Sequence, residues 1–336
     1  MATQALPLPG KLIFIDDGQP GIARRKKGAY FAFFTPTGSR ITDRAEIDRL
    51  RAIGLPPAYR DCWYSPDPNS HLQATGYDAR GRKQYRYHTD FRDAQDAGKY
   101  AGCAGFGKRL PKLRERVAAD LRKRSVGRDR AVAAIVRLLD IGMIRVGNDR
   151  YAEENKSYGA TTLRMRHTAI EGSTLRLCYR GKSGQMQERR VKDSGLLRFV
   201  RAMQDLPGQR LFQYVDDDGA RHEVGSADVN AYLREIMGEG ISAKHFRTWG
   251  GSVTAYACLY HADGKAGLKS MLTCVAAALG NTPAISRKSY VHPALIELAK
   301  SGDVEAWRAA TKLPRATTWL SREERGLMAF LEDAAG

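Results

Sequence analysis

Up to about residue 90 the apolar positions come in short aromatic or β-branched runs, KLIFI (11–15), AYFAFF (29–34), HLQATGY (71–77) and KQYRYH (83–88), separated by Gly, Pro and Asp. Such runs read as strands. The clearest pair is HLQATGYDARGRKQYRYH (71–88), because DARG supplies turn chemistry between two alternating segments. Alternation then puts Tyr85 and Tyr87 on one face, with Gln84, Arg86 and His88 on the other.

Beyond the Gly-rich passage AGKYAGCAGFGKRLP (97–111) the period changes from two to 3.6. Val132, Ile135, Val136 and Leu139 form one helical stripe, and Met271, Leu272, Val275, Ala276 and Leu279 form another. One stretch departs from this pattern: in STLRLCYRGKSGQMQERRV (173–191), Leu175, Leu177 and Tyr179 alternate with polar residues as far as GKSG, which predicts a hairpin. SREE (321–324) is a capping box of Ser321 with Glu324 and opens the last helix. The expected fold class is therefore α+β, with a small sheet-rich domain over residues 1–95 and a larger, mainly helical domain with a short hairpin sheet over 96–336.

Composition narrows the function. A chain of 336 residues with 43% hydrophobic residues can bury ample cores. Its 55 Lys and Arg against 37 Asp and Glu leave a formal charge of +18, which favours a polyanionic partner, nucleic acid first and an acidic membrane surface second. No basic segment leads into a long apolar run, so a cytoplasmic protein without a membrane span is expected. The five cysteines, Cys62, Cys103, Cys178, Cys258 and Cys274, have no CxxC spacing and read as reduced, buried apolar residues. The seven histidines form no HxH or HxxxH group, so no metal site is expected.

Four segments carry candidate chemistry. GKSG (181–184) imitates the end of a phosphate-binding P-loop, but the glycine that loop needs at position 176 is Arg, and a strand follows where a helix should. Lys182 is placed instead at a hairpin tip. SAKHFRTWGGS (242–252) reads as a helix capped by Ser242, with Phe246, Trp249, Val253 and Ala257 on its buried stripe. Lys244, Arg247 and Gly251 then share another face, two cations beside a residue small enough for a phosphate to approach. IGMIRVGNDRY (141–151) sets Arg145 just past a strong helix. In LGNTPAISRKSYVHP (279–293), Pro283 and Pro293 bracket a short helix and Tyr290 follows Arg287 and Lys288. A free phenol has a pKa of about 10, so Tyr290 needs help to ionise.

Taken in order, GRKQYRYH, IRVGNDRYAEENKSYGATTLRMRH, GKSG, SAKHFRTWGGS and LGNTPAISRKSYVHP resemble the bacterial, poxvirus-like branch of the type IB DNA topoisomerases. The likeness extends over nearly the whole chain from about residue 40. It implies a C-shaped clamp that closes on duplex DNA, and an isomerase that cuts one strand through a 3′-phosphotyrosyl intermediate and reseals it. Supercoils of either sign would relax without ATP, metal or any other cofactor. By position the resemblance makes Tyr290 the nucleophile, Arg145 and Arg247 the clamp on the scissile phosphate, Lys182 the acid for the leaving 5′-oxygen, and Lys244 a second lysine near the phosphate. It assigns DNA contacts to Gln84, Tyr85, Tyr87 and Tyr151.

One position departs from the poxviral and eukaryotic pattern. Nine residues before Tyr290, where those enzymes carry histidine, stands Asn281, the usual residue of the bacterial branch. An amide donates a hydrogen bond to a phosphate oxygen but neither carries charge nor shuttles a proton. The resemblance further implies a monomer associated with the bacterial nucleoid. The rival readings are a tyrosine recombinase or integrase, which typically places histidine where this chain has Lys244, and a non-catalytic DNA-binding protein using the same basic surface.

Overall fold

The computed structural model describes residues 10–204, 208–262, 264 and 266–334, and the chain divides into two compact units, Met1–Lys99 and Tyr100–Gly336. The division falls inside a helix, Thr89–Ala101, as does the cut expected after Gln95.

In the first unit five strands, β1 (Ile22–Lys27), β2 (Tyr30–Phe34), β3 (Arg60–Tyr64), β4 (Leu72–Tyr77) and β5 (Lys83–Tyr87), form an antiparallel sheet in the order β2-β1-β3-β4-β5. Helix α1 (Arg44–Ala52), capped by the Asp43 carboxylate, supplies Leu50 to a core with Ile22, Phe33, Leu55, Tyr64 and Ala74. The turn between β4 and β5 is organised by Asp78, whose carboxylate accepts from the backbone of Arg80 and Arg82. Tyr85 and Tyr87 do share a face, where their rings stack 6.1 Å apart at 9°.

Two expectations for this unit change. KLIFI is not a strand: Ile13 makes a single parallel bridge to Ser70, and both Ile13 and Phe14 are exposed. Its polar successors Asp16 and Asp17 turn the chain before a ladder can extend, with Asp16 bonding to the backbone of Gly18 and Gln19. Conversely IARRKK and RDCWY are strands despite their charge. Arg24 reaches from β1 to the carbonyls of Leu55, Pro56 and Tyr59, so an inward-facing arginine conceals the alternation.

After α2 (Thr89–Ala101), the second unit continues with α3 (Cys103–Arg122), α4 (Arg128–Gly142) and α5 (Asp149–Asn155). A three-stranded sheet of β6 (Thr168–Glu171), β7 (Thr174–Arg180) and β8 (Met186–Val191) follows. The anticipated hairpin is β7–β8, and β6 adds an edge. Then come α6 (Ser194–Gln204), the small ribbon β9 (Gln213–Val215) and β10 (Arg221–Glu223), α7 (Ser226–Met237), α8 (Lys244–Tyr260) and α9 (Leu268–Leu279). Four helices close the chain: α10 (Pro283–Ser289), α11 (Pro293–Ser301), α12 (Val304–Ala310) and α13 (Arg322–Asp333).

Helix α4 is the axis of this unit. Its sequence predicts one apolar stripe, yet Ala131, Ala133, Ala134 and Leu138 are as buried as Val132, Ile135, Val136 and Leu139. Neighbours cover it on several sides, with α3, α6, α7 and α8 all packed against it, and truncating one of its large side chains costs about 2–5 kcal/mol. The last helix is fastened by a buried charge cluster. Arg114 of α3 pairs with Asp140 of α4 at 2.8 Å and with Glu324 of α13 at 2.7 Å, while Glu324 also accepts from the Trp249 indole of α8 at 3.1 Å. Glu324 completes the predicted capping box with Ser321.

The cysteine expectation is corrected. Cys258 of α8 and Cys274 of α9 form a disulfide, with Cα atoms 6.7 Å apart. Packing of two antiparallel neighbours brings the thiols together, which their separation of 16 residues does not reveal. Cys62 and Cys103 are buried thiols outside that disulfide, and Cys178 is an exposed one. Among the described residues no helix is long and apolar enough to cross a membrane, and no group of His, Cys, Asp and Glu gathers to hold a metal.

Candidate active site

Tyr290 sits at the C-cap of α10, directly after the helix that Thr282 and Pro283 open. Its backbone is held on both sides. The Tyr290 amide donates to Ser286 O at 3.0 Å, Ser252 Oγ donates to Tyr290 O at 3.3 Å, and the His292 amide donates to Ser252 Oγ at 3.1 Å. Gly251 makes room for this arrangement: a Cβ there would stand 2.8 Å from Tyr290 O and 3.0 Å from Tyr290 Cβ. The space that the sequence suggested for a phosphate beside Gly251 is thus filled by the tyrosine's own backbone.

Arg247 is the second half of the arrangement. Its guanidinium carbon lies 4.8 Å from the centre of the Tyr290 ring. The side chain is 4% exposed, donating to Met143 O just past α4 and to Leu279 O at the end of α9. Arg247 therefore does not share a solvated face with Lys244, which is exposed at the first turn of α8. The helix also starts differently from expectation: the Ser242 hydroxyl caps no backbone amide, and its 3.3 Å contact is with His245 Nδ1. Phe246 and Trp249 are buried as predicted, whereas Val253 and Ala257 are half-buried and Ala255, Tyr256 and Leu259 fill the core instead.

Arg145 lies two residues beyond Met143, whose left-handed conformation ends α4. Its carbonyl accepts from the Ala160 amide at 2.8 Å, which ties this segment to the loop before β6. Its guanidinium donates to Asn281 Oδ1 at 3.0 Å. The other end of that amide, Nδ2, is buried without a partner. A buried N–H donor left unmet is costly in isolation, and an anionic oxygen would satisfy it.

The electrostatics of the phenol follow from these positions. Burial pushes Tyr290 up, but the charge of Arg247 with its hydrogen bond, then the charges of Arg145 and Lys182, outweigh it and hold the phenol below its ordinary range. Arg247 is itself pulled below the usual guanidinium range by burial, opposed by the phenol and reinforced by Arg145. Lys182 occupies the exposed tip of the β7–β8 hairpin, in a single helical turn, Lys182–Gly184, in which Ser183 has φ 62°. The structure thus gathers Arg145, Arg247, Asn281 and Tyr290, and sets Lys182 close enough for its charge to act on the phenol.

Four predicted DNA-contact residues remain. Tyr151 is exposed on α5, whose N-terminus is capped by Asn148. In the first unit Tyr85 and Tyr87 are exposed, and Gln84 donates to Asp78 at 3.1 Å. Two residues of the group were not anticipated. Tyr179 is 4% exposed and raised by burial, although the charges of Arg189, Arg247 and Arg145 all act on its phenol. Gln187, its register partner on β8, is also buried. The alternation that marked Tyr179 as inward continues across the hairpin to Gln187, and that is the signal by which it was findable.

The sequence also has relatives among known proteins. Residues 88–303 match the family described as eukaryotic DNA topoisomerase I, catalytic core, and residues 30–78 match the bacterial DNA topoisomerase IB N-terminal domain. The DNA topoisomerase 1B of Acanthamoeba polyphaga mimivirus is 32% identical over 292 residues, 83% of this chain and 87% of that protein. The DNA topoisomerase 1B of vaccinia virus (strain Copenhagen) is 23% identical over 72% of this chain and 76% of its own length. DNA topoisomerase 1 of Mycosarcoma maydis is 27% identical over 51% of this chain and 19% of that protein.

Proposed function

The chain belongs to the type IB DNA topoisomerases, and from that premise we propose that Tyr290 is its nucleophile and that the cations around it act on one scissile phosphate. The observation that carries this reading is the placement of the buried Arg247 guanidinium over the Tyr290 ring, in a pocket whose positive charges lower the phenol. Attack by the Tyr290 oxygen on phosphorus breaks the bond to the 5′-oxygen and leaves a 3′-phosphotyrosine. The bond energy is retained, so resealing is the reverse displacement and needs no nucleotide.

Each neighbour has a role suited to its chemistry. In-line displacement builds negative charge on the equatorial oxygens, and the guanidinium forks of Arg145 and Arg247 stabilise it. The unpartnered Asn281 Nδ2 supplies a neutral donor to one of those oxygens. Lys182 delivers a proton to the leaving 5′-oxygen, a poor leaving group without one, and Lys244 adds charge to the phosphate path. In the first unit Gln84, Tyr85 and Tyr87, with Tyr151 of the second, contact duplex DNA. The enzyme works as a monomer on the nucleoid, with no resident metal.

Purified protein is expected to relax negatively and positively supercoiled plasmid in EDTA without ATP, read as topoisomer ladders on a gel. A strict requirement for Mg²⁺ or nucleotide, or strand exchange between two sites as the main product, would sink the proposal. A second expectation isolates the acid. Lys182→Ala slows cleavage of ordinary duplex about 10²-fold or more, but has little effect when sulfur replaces the leaving 5′-oxygen, since a thiolate departs unprotonated. Equal losses on the two substrates would reject that role.

A further inference from the structure

Two members of the proposed site each follow a glycine, Gly181 before Lys182 and Gly280 before Asn281. One side chain lies against both. The Cγ of Gln187 is 2.8 Å from where a Cβ on Gly181 would stand, and its Oε1 is 2.1 Å from where one on Gly280 would stand. Neither glycine tolerates a methyl group there without displacing Gln187, and Gly280 in addition has φ 59°.

Gln187 is itself fixed. It pairs in register with Tyr179 on β7, and its Oε1 accepts from Arg189 at 3.2 Å. Its Nε2 donates to Gly280 O at 3.5 Å, a long bond at the turn where α9 ends. The amide of Asn281, the next residue, donates back to Ala276 O at 3.0 Å, so the turn has little freedom of its own. The Lys182 tip, by contrast, is exposed over Lys182, Ser183 and Gly184 and gains its fixed point at Gly181.

We propose that Gln187 is a positioning residue: wedged between Gly181 and Gly280, it sets the spacing between the Lys182 hairpin and the Asn281 turn. The inference rests on the roles proposed above for those two residues. Its chemical sense is that a proton donor at the leaving oxygen and a hydrogen-bond donor at a non-bridging oxygen must meet the same phosphate together, where a displacement of about 1 Å costs on the order of 10²-fold in rate. A glutamine suits the place because its stem fills the gap at Gly181 while its amide bonds on one side to Gly280 O and on the other to Arg189.

The test compares Gln187→Met, which keeps the shape and removes the amide, with the parent in single-turnover cleavage of a duplex carrying a cleavage site mapped on plasmid. Cleavage of ordinary duplex is expected to slow at least about tenfold, with the melting temperature and DNA affinity nearly unchanged. In an Asn281→Ala background acting on the duplex with a sulfur leaving group, neither positioned group is needed, and Gln187→Met is expected to cost less than about twofold. Wild-type cleavage by Gln187→Met, or the same fractional loss in both settings, would overturn the inference. Wild-type rates in Lys182→Ala and Asn281→Ala on ordinary duplex would instead refute the roles on which it rests, so the two failures are distinguishable.

Discussion

Tyr290→Phe is expected to bind duplex DNA with unchanged affinity and to leave no protein-linked DNA after denaturation, with plasmid relaxation lost altogether. The substitution removes one oxygen and keeps the ring beneath Arg247, so the cation above it and the backbone bonds to Ser252 persist. Recovery of a normal adduct would show that another hydroxyl is the nucleophile; Tyr179, the other phenol near Arg145 and Arg247, is the first to examine. The wild-type pH profile carries the same information. Because the folded protein holds the phenol below its ordinary range, the cleavage rate rises with pH and levels off below the pH of about 10 at which a free phenol titrates. Neutralising Arg247 removes the largest stabiliser of the phenolate and moves that rise to higher pH.

Arg247→Lys is expected to lower the cleavage rate about 10²- to 10³-fold in single-turnover assays, while a folded protein is still recovered. Lysine retains a charge but offers no planar fork, so it cannot hold two oxygens of the phosphate at once. The loss corresponds to about 3–4 kcal/mol of transition-state stabilisation. Arg247→Ala is expected to be worse in a second respect. It strips a donor from Met143 O and Leu279 O in a buried setting, and thermal melting should register the unmet carbonyls as lost stability. A lysine variant within twofold of wild type would show that the fork contributes nothing at the phosphate.

Much of this arrangement was legible in the order of residues. Short aromatic runs and alternation located β2, β4, β5, β7 and β8, helical periodicity located α4 and α9, and a capping box located α13, because each of those patterns is local. Tyr290, Arg145, Arg247 and Lys182 were assigned by resemblance, for nothing in a phenol after two basic residues separates a nucleophile from a core aromatic. What stayed hidden depends on neighbours far along the chain. Arg247 read as one of two cations on a face shared with Lys244 and proved buried, because α8 meets the ends of α4 and α9 there. Gly251 looked like room for a ligand and proved to be room for Tyr290. The Cys258–Cys274 bond and the wedge at Gln187 arise from packing between elements, which no local window encodes.

The fastening of Tyr290 to α8 through Gly251 and Ser252 bears on what the nicked state is. In the role proposed for it, a Tyr290 whose main chain is bolted to the helix that bears Arg247 would keep its phosphate in place once the strand is open. Motion would then be left to the DNA, whose freed end would turn and return to a phosphorus that has stayed in register. On that reading the broken strand is less a product than a reaction held at its midpoint, with torque in the duplex driving its turns and the protein acting as a fixed bearing.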